Sequence, residues 1–380
     1  KTKGEVNLPE DRTVKDRQMC NIQIKYKVPL KGLLIAEQLL MDYKSKLFLL
    51  SIFIPHFLFS QVPQLVRVNP QHYFQRTVPK GNYSGLTWLG GDRYAVVSDK
   101  APQSGFFIFH IQTETVSGDL TGVRTERFCS SGETNHDEEG IAFFPKDSTL
   151  LISREADNRI LEYGMDGKLT GRELSVPAVF VCATSRYGFE SLTYNAVTHR
   201  FWTTSESTLA TDGKQADAGN QIGNRLRLQS FDDNFQPRDQ YAYLMETPEH
   251  HSSVSNYAMG VPAMAALDDG RLLVLEREFL VKPGKFGSFV INRLFCVNPA
   301  LSTPVSPERK LGADSPYLKK RLLAAWKTTL TLFRQNLANY EGMCLGPHLA
   351  DGSRVVVLCA DSQNQYGGIL RDWFRTVVIR

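Results

Sequence analysis

Glu139, Glu190 and Glu341 each head a β-rich run, and a second acid follows each of them at a recurrent distance. The separation is 16 residues from Glu139 to Glu155 and from Glu190 to Glu206, and 20 from Glu341 to Asp361. Asp99 takes the second position in an earlier copy, and Glu276 and Glu278 flank that position in a fourth. Carboxylates gathered in such number repel, so they require protons, Arg or Lys partners, or a bound cation. Lys100, Arg154 and Arg277 neighbour these acids in sequence and offer positive charge. Donor sets made only of oxygen favour calcium first and magnesium second. The competing reading is structural, since acids at strand ends also accept backbone N–H bonds and fix turns.

The elements that must position these acids are legible as a repeat. Ser84-Gly-Leu-Thr-Trp88, Glu139-Gly-Ile-Ala-Phe143, Glu190-Ser-Leu-Thr-Tyr194, Pro262-Ala-Met-Ala-Ala266 and Glu341-Gly-Met-Cys-Leu345 are copies of one motif. Each precedes a turn and a second β-rich run: 93–99, 149–155, 200–206, 271–277 and 354–360. That pattern reads as hairpins. Further strand-like stretches at 105–111, 159–164, 225–231, 240–244 and 288–297 bring each unit to about four strands. Four-stranded units recurring in series predict an all-β protein, a β-propeller. Five blades are recognisable and a sixth is left open. The fifth shows only three strands, so residues 65–74 are expected to return as its fourth and close the ring. Within a hairpin the first and second acids become neighbours, and ring symmetry carries the pairs to one end of the axis. Gly85, Gly140 and Gly342 are read as allowing close strand packing at that axis.

One segment departs from the β pattern. Asp314-Ser315-Pro316 resembles a helix start, and Leu318, Leu322, Leu323, Trp326, Leu330 and Phe333 keep helical spacing. The expectation is an inserted helix near 315–336, packed on the propeller or shaping the rim of a cleft.

The formal charge of +4 over 380 residues is concentrated at the start. Residues 1–60 hold 10 basic and 6 acidic side chains, whereas 61–380 hold 34 of each. A neutral body gives no electrostatic footprint for nucleic acid. Met41 to Lys46, the apolar run 47–59 and Ser60 read as a secretory signal peptide with cleavage near Ser60. Residues 1–40 then form an upstream extension, and 61–380 a single exported domain, periplasmic or extracellular. The apolar run is too short for an ordinary membrane span, so no stable membrane insertion is expected. Oligomeric state is left open. The five later cysteines, Cys129, Cys182, Cys296, Cys344 and Cys359, lack any Cys-x-x-Cys spacing. They read mainly as small buried residues, with one disulfide of undetermined partners left open.

Other catalytic signatures are missing: no Gly-x-Ser-x-Gly, no Gly-rich phosphate loop and no His-Glu-x-x-His. His136 and the pair His250-His251 read as solvated loop residues.

Tyr83-Ser-Gly-Leu86, Asp137-Glu-Glu-Gly-Ile141, Gly188-Phe-Glu-Ser-Leu192, Leu273-Val-Leu-Glu-Arg277 and Asn339-Tyr-Glu-Gly-Met343 resemble, in order, the motifs of the phytase-like domain family. The family is described as having esterase-like activity, and the resemblance runs from about residue 65 to 380. It implies a secreted propeller whose Glu and Asp residues carry a phosphoesterase activity on a small phosphorylated substrate. On that reading Glu139, Glu190 and Glu341 act as ligands or bases, and Arg154 and Arg277 clamp phosphate oxygens. Asp99, Glu155, Glu206, Glu276 and Asp361 would complete a metal site. The last motif, Ala360-Asp361-Ser-Gln-Asn364, carries a shorter acidic run than is usual there. A non-catalytic propeller that holds a structural cation is the alternative.

Overall fold

The computed structural model of the chain describes residues 62–181, 188–251 and 256–380. The signal peptide read over 41–60, the extension before it and Cys182 lie outside the described residues. No helix among the described residues is long and apolar enough to cross a membrane.

Among the described residues, twenty strands form five four-stranded sheets, each antiparallel throughout. Blade one is β2 (Tyr83–Gly90), β3 (Arg93–Ser98), β4 (Gln103–Thr113) and β5 (Leu120–Thr134). Blade two is β6 (Glu138–Phe144), β7 (Thr149–Arg154), β8 (Arg159–Gly164) and β9 (Leu169–Glu173). A single helical turn, α1 (Ala178–Val181), precedes blade three, which is β10 (Phe189–Asn195), β11 (Arg200–Ser205), β12 (Arg225–Phe231) and β13 (Pro237–Leu244). Blade four is β14 (Tyr257–Ala266), β15 (Leu272–Leu280), β16 (Phe289–Val297) and β17 (Lys320–Thr329). Blade five joins β18 (Asn339–His348), β19 (Arg354–Asp361) and β20 (Trp373–Ile379) to β1 (Leu65–Tyr73) from the other end of the domain.

The expected closure is therefore present. β1 pairs with β20 from Leu65 opposite Ile379 to Tyr73 opposite Trp373. Gln64 and Arg380 exchange backbone hydrogen bonds of 2.8 and 2.9 Å just beyond it. The innermost strands β2, β6, β10, β14 and β18 touch in succession, and β18 returns to β2, so the ring has five blades. Apolar cores fill the spaces between adjacent blades, such as Ala95, Phe106, Ile152 and Tyr163 between the first two.

The helix expected near 315–336 does not form; its central part is β17, the outer strand of blade four. Two facts explain the misleading spacing. A register shift against β16 at Leu294/Phe295 breaks the period-two alternation within the strand. The outermost strand is also half exposed, so Leu322 is 50 % accessible while Ala324 and Thr328 are buried. Asp314-Ser315-Pro316 makes a turn instead, with Ser315 Oγ accepting from the Gly312 N–H. A three-stranded blade would have left the polar backbone edge of β16 open.

Glycine at the axis is required by contact. A methyl group on Gly85 would sit 2.2 Å from the Glu139 carbonyl oxygen, and one on Gly140 would sit 2.5 Å from the Leu192 nitrogen. Both neighbours are backbone of the next blade and cannot swing aside. Gly140→Ala is predicted to destabilise the fold by about 1–3 kcal/mol or more, as overpacking does. An unchanged urea midpoint would contradict this close approach.

Candidate functional site

First strands begin, and second strands end, at the same mouth of the ring. At that mouth every hairpin carries a register irregularity on its first strand: Tyr83/Gly85, Glu138/Ile141, Phe189/Ser191, Gly260/Ala263 and Tyr340/Gly342. The residues spanned include Ser84, Glu139, Glu190 and Glu341. A bulge inserts one unpaired residue and re-aims its side chain. The backbone groups that leave the ladder find side chains of the second strand. Ser153 Oγ accepts from Gly140 N–H at 2.8 Å, and Thr203 Oγ1 donates to the Ser191 carbonyl at 2.7 Å.

Carboxylates converge as a result. Oxygens of Glu139, Glu155 and Glu190 all lie within 4.8 Å of one another. Asp99, Glu206, Glu341 and Asp361 adjoin them, linked by mutual electrostatic influence. Two unit charges at 4.8 Å repel by about 3.5 kcal/mol at an effective dielectric of about 20. Two cations answer part of this. Arg277 Nη1 donates to Glu341 Oε1 at 2.5 Å and to Asn339 Oδ1 at 2.9 Å, and its Nη2 donates to Glu206. Lys100 Nζ lies 2.8 Å from Asp99 and 3.0 Å from Asp137. Asp99 Oδ1 is buried with no hydrogen-bond partner.

The acids hold their protons more tightly in consequence. Burial, reinforced by neighbouring acids, raises Glu139, Glu190 and Asp361 well above the ordinary carboxyl range. Burial also raises Glu206 and Glu341 against the pull of Arg277. Desolvation pushes Asp99 to about 6 despite Lys100, and Glu155 to about 7 despite the Gly188 N–H bonded to it. Burial opposes the charge on Arg277, yet Glu206, Glu341 and Glu190 outweigh it and keep the guanidinium protonated.

Other residues singled out in the sequence lie elsewhere. Along β15 the side chains alternate, so Arg277 reaches the ring while Glu276 and Glu278 turn the other way. Glu276 accepts from Tyr243 Oη and Lys320 Nζ, each at 2.7 Å. Glu278 accepts from the backbone of Glu249 and His250, each at 2.9 Å. Arg154 precedes Glu155 and likewise points away, bonded to Asp157 and lying beside Glu138 and Tyr163. Asn339 is a participant that sequence reasoning passed over; its Nδ2 donates to Glu341 Oε1 at 2.8 Å. Its position two residues before the acid was the available signal.

The segment that carries these bulged hairpins resembles a known family as a whole. The phytase-like family, described as "Esterase-like activity of phytase", matches residues 78–363. The chain belongs to this phytase-like family. No curated protein sequence matches it. Among solved structures it is similar to virginiamycin B lyase from Staphylococcus aureus, at 10% identity and a TM-score of 0.35 over 83% of this chain and 99% of that one. A streptogramin B lyase is 11% identical with a TM-score of 0.36, covering 82% and 98%. A luciferin-regenerating enzyme is 10% identical with a TM-score of 0.36, covering 83% and 94%. The four cysteines among the described residues, Cys129, Cys296, Cys344 and Cys359, are unpaired and buried, in keeping with a packing role.

The raised carboxyls fix the sign of a pH effect. An acid that keeps its proton in the fold and loses it on unfolding lowers stability as pH rises from its unfolded to its folded value. For Asp99 and Glu155 that window runs from about pH 4 to about 7. Chelator-treated protein is therefore predicted to lose melting temperature across this window, and Glu155→Gln to lose less. Parallel pH profiles for the two proteins would contradict the assignment.

Proposed function

We propose that this phytase-like protein is a divalent-cation-dependent phosphoesterase whose metal is held by the axial carboxylates, with calcium favoured over magnesium. The observation that carries the reading is the mutual approach of Glu139, Glu155 and Glu190 within 4.8 Å. A donor set made only of carboxylate oxygen suits a hard cation. The orphaned Asp99 Oδ1 is a further buried acceptor without a donor, and a cation would satisfy it. Glu139, Glu155 and Glu190 would hold the ion, with Asp99 and Asp361 beside them. When bound, such a cation offsets phosphate charge and acidifies a water.

The protein's own groups divide the remaining work. Arg277 and Asn339 hold Glu341, and Arg277 also ties Glu206, so these two acids are restrained. Glu155, which keeps its proton up to about pH 7 without the ion, would release that proton on binding it. Lys100 is half exposed at the mouth and can meet an incoming anion. The proposal also places the protein outside the cytoplasm, as the leader read at 41–60 implies, where calcium is abundant enough for weak sites.

A second reading, a structural cation without chemistry, is favoured by one observation. Arg277 is committed to acids and Arg154 faces away, so neither guanidinium is free at the ring to clamp a phosphate. The two readings separate in a single experiment on chelator-treated protein, measuring melting temperature and hydrolysis of p-nitrophenyl phosphate and bis-p-nitrophenyl phosphate. Adding calcium is predicted to raise the melting temperature and to start hydrolysis, with magnesium weaker in both. Glu190→Gln should lose most of both responses. Stabilisation without hydrolysis would leave the structural cation, and no stabilisation would end both readings.

A further inference from the structure

The opposite mouth of the ring forms a bowl of about 340 Å³. It lies where the first strands end, and Trp88, Phe143, Tyr194, Ala266 and Leu345 supply one wall residue from each blade. It does not communicate with the acidic mouth. Between the two, Leu86, Ile141, Leu192, Met264 and Met343 meet at the axis, all at most 4 % exposed. They surround a residual space of about 10 Å³, no more than a single water needs.

The polar atoms of the bowl are nearly all committed. Trp88 Nε1 donates to the Gly91 carbonyl at 2.9 Å, and Tyr194 Oη donates to Asp233 at 2.9 Å. Asn195 donates to the Leu267 carbonyl and accepts from the N–H groups of Val197 and Thr198. Among the buried side-chain polar atoms lining it, Arg354 holds the exception. Its Nε is buried with no hydrogen-bond partner, and its nearest carboxylate oxygen, on Asp268, is 4.0 Å from Nη1. Asp268 is largely exposed and is shared at the same distance with His348. The guanidinium instead lies over the Trp88 ring, 5.4 Å from its centroid. A positive charge held on an aromatic face, without a close counter-ion and inside a concave apolar wall, calls for an anion brought by the ligand.

We propose that this bowl is a second binding site, distinct from the carboxylate ring, for a small organic anion with a flat apolar body. The anionic head would pair with Arg354, and the body would lie against Trp88 and Phe143. Nothing in this assignment depends on the ring holding a metal or on hydrolysis.

The test is calorimetric titration of the full chain with 2-naphthoate at low ionic strength, with uncharged 2-naphthalenemethanol as the comparison. Naphthoate should bind, and the alcohol should bind at least about tenfold more weakly, as loss of a charge-assisted contact requires. Arg354→Met keeps the apolar stem and should weaken naphthoate by a similar factor. Asp268→Asn, on an exposed side chain that folding does not need, should tighten it by removing the competing carboxylate. Glu190→Gln, at the other mouth, should leave the affinity unchanged. Equal binding of acid and alcohol would overturn the proposal. So would unchanged affinity in both Arg354→Met and Asp268→Asn, or no heat of binding up to millimolar naphthoate. Should Arg354→Met fail to fold, Asp268→Asn and the alcohol decide the matter.

Discussion

Like charge confined at the axis is the constraint on which the rest of this structure turns. The carboxyl groups of Asp99, Glu139, Glu155, Glu190, Glu206, Glu341 and Asp361 share one mouth of the ring with Arg277 and Lys100. An isolated chain would never hold them together, because repulsion and desolvation both oppose it. The opposing term is the closed ring. Apolar cores between all five blades fix the inner strands, and the paired termini prevent the ring from opening. The fold supplies the stability that its site consumes, a division common where function needs an unfavourable local arrangement.

The bulges connect that constraint to the sequence. A regular ladder would alternate the first-strand residues between the two faces of each blade. Adding one residue at the mouth turns Glu139, Glu190 and Glu341 toward the axis while Ile141, Leu192 and Met343 still pack as core. Glycine beside the bulge lets the next blade approach, and a Ser or Thr hydroxyl repairs the lost ladder bond. The short repeated motif therefore encodes a bulge and a close approach together with a strand.

Much of this was legible from the chain because repetition averages out local ambiguity. Five copies of one motif specify blades, hairpins and the end at which acids collect, and the closing strand follows from the missing fourth partner. Legibility failed where repetition was lacking. The stretch 320–329 lies outside the repeated motif, and a bulge against β16 gave its apolar residues a helical interval. In blade four, Glu276 and Glu278 were indistinguishable by spacing from ring acids, and only strand alternation shows that Arg277 faces the axis in their stead. Arg154 misled in the same way, since adjacency to Glu155 along a strand means opposite direction. Arg277 therefore gives the acidic ring an internal counter-charge, an arrangement that hairpin counting alone does not disclose.

The central claim is that Glu139, Glu155 and Glu190 surround a cation. Its most direct test is a crystal structure of the protein grown with calcium, with diffraction collected to reveal anomalous scattering. The account predicts an anomalous peak among these three side chains, coordinated by their oxygens at 2.3–2.6 Å. Three carboxyls bonded only to one another or to water through retained protons, with no peak at saturating calcium, would contradict it.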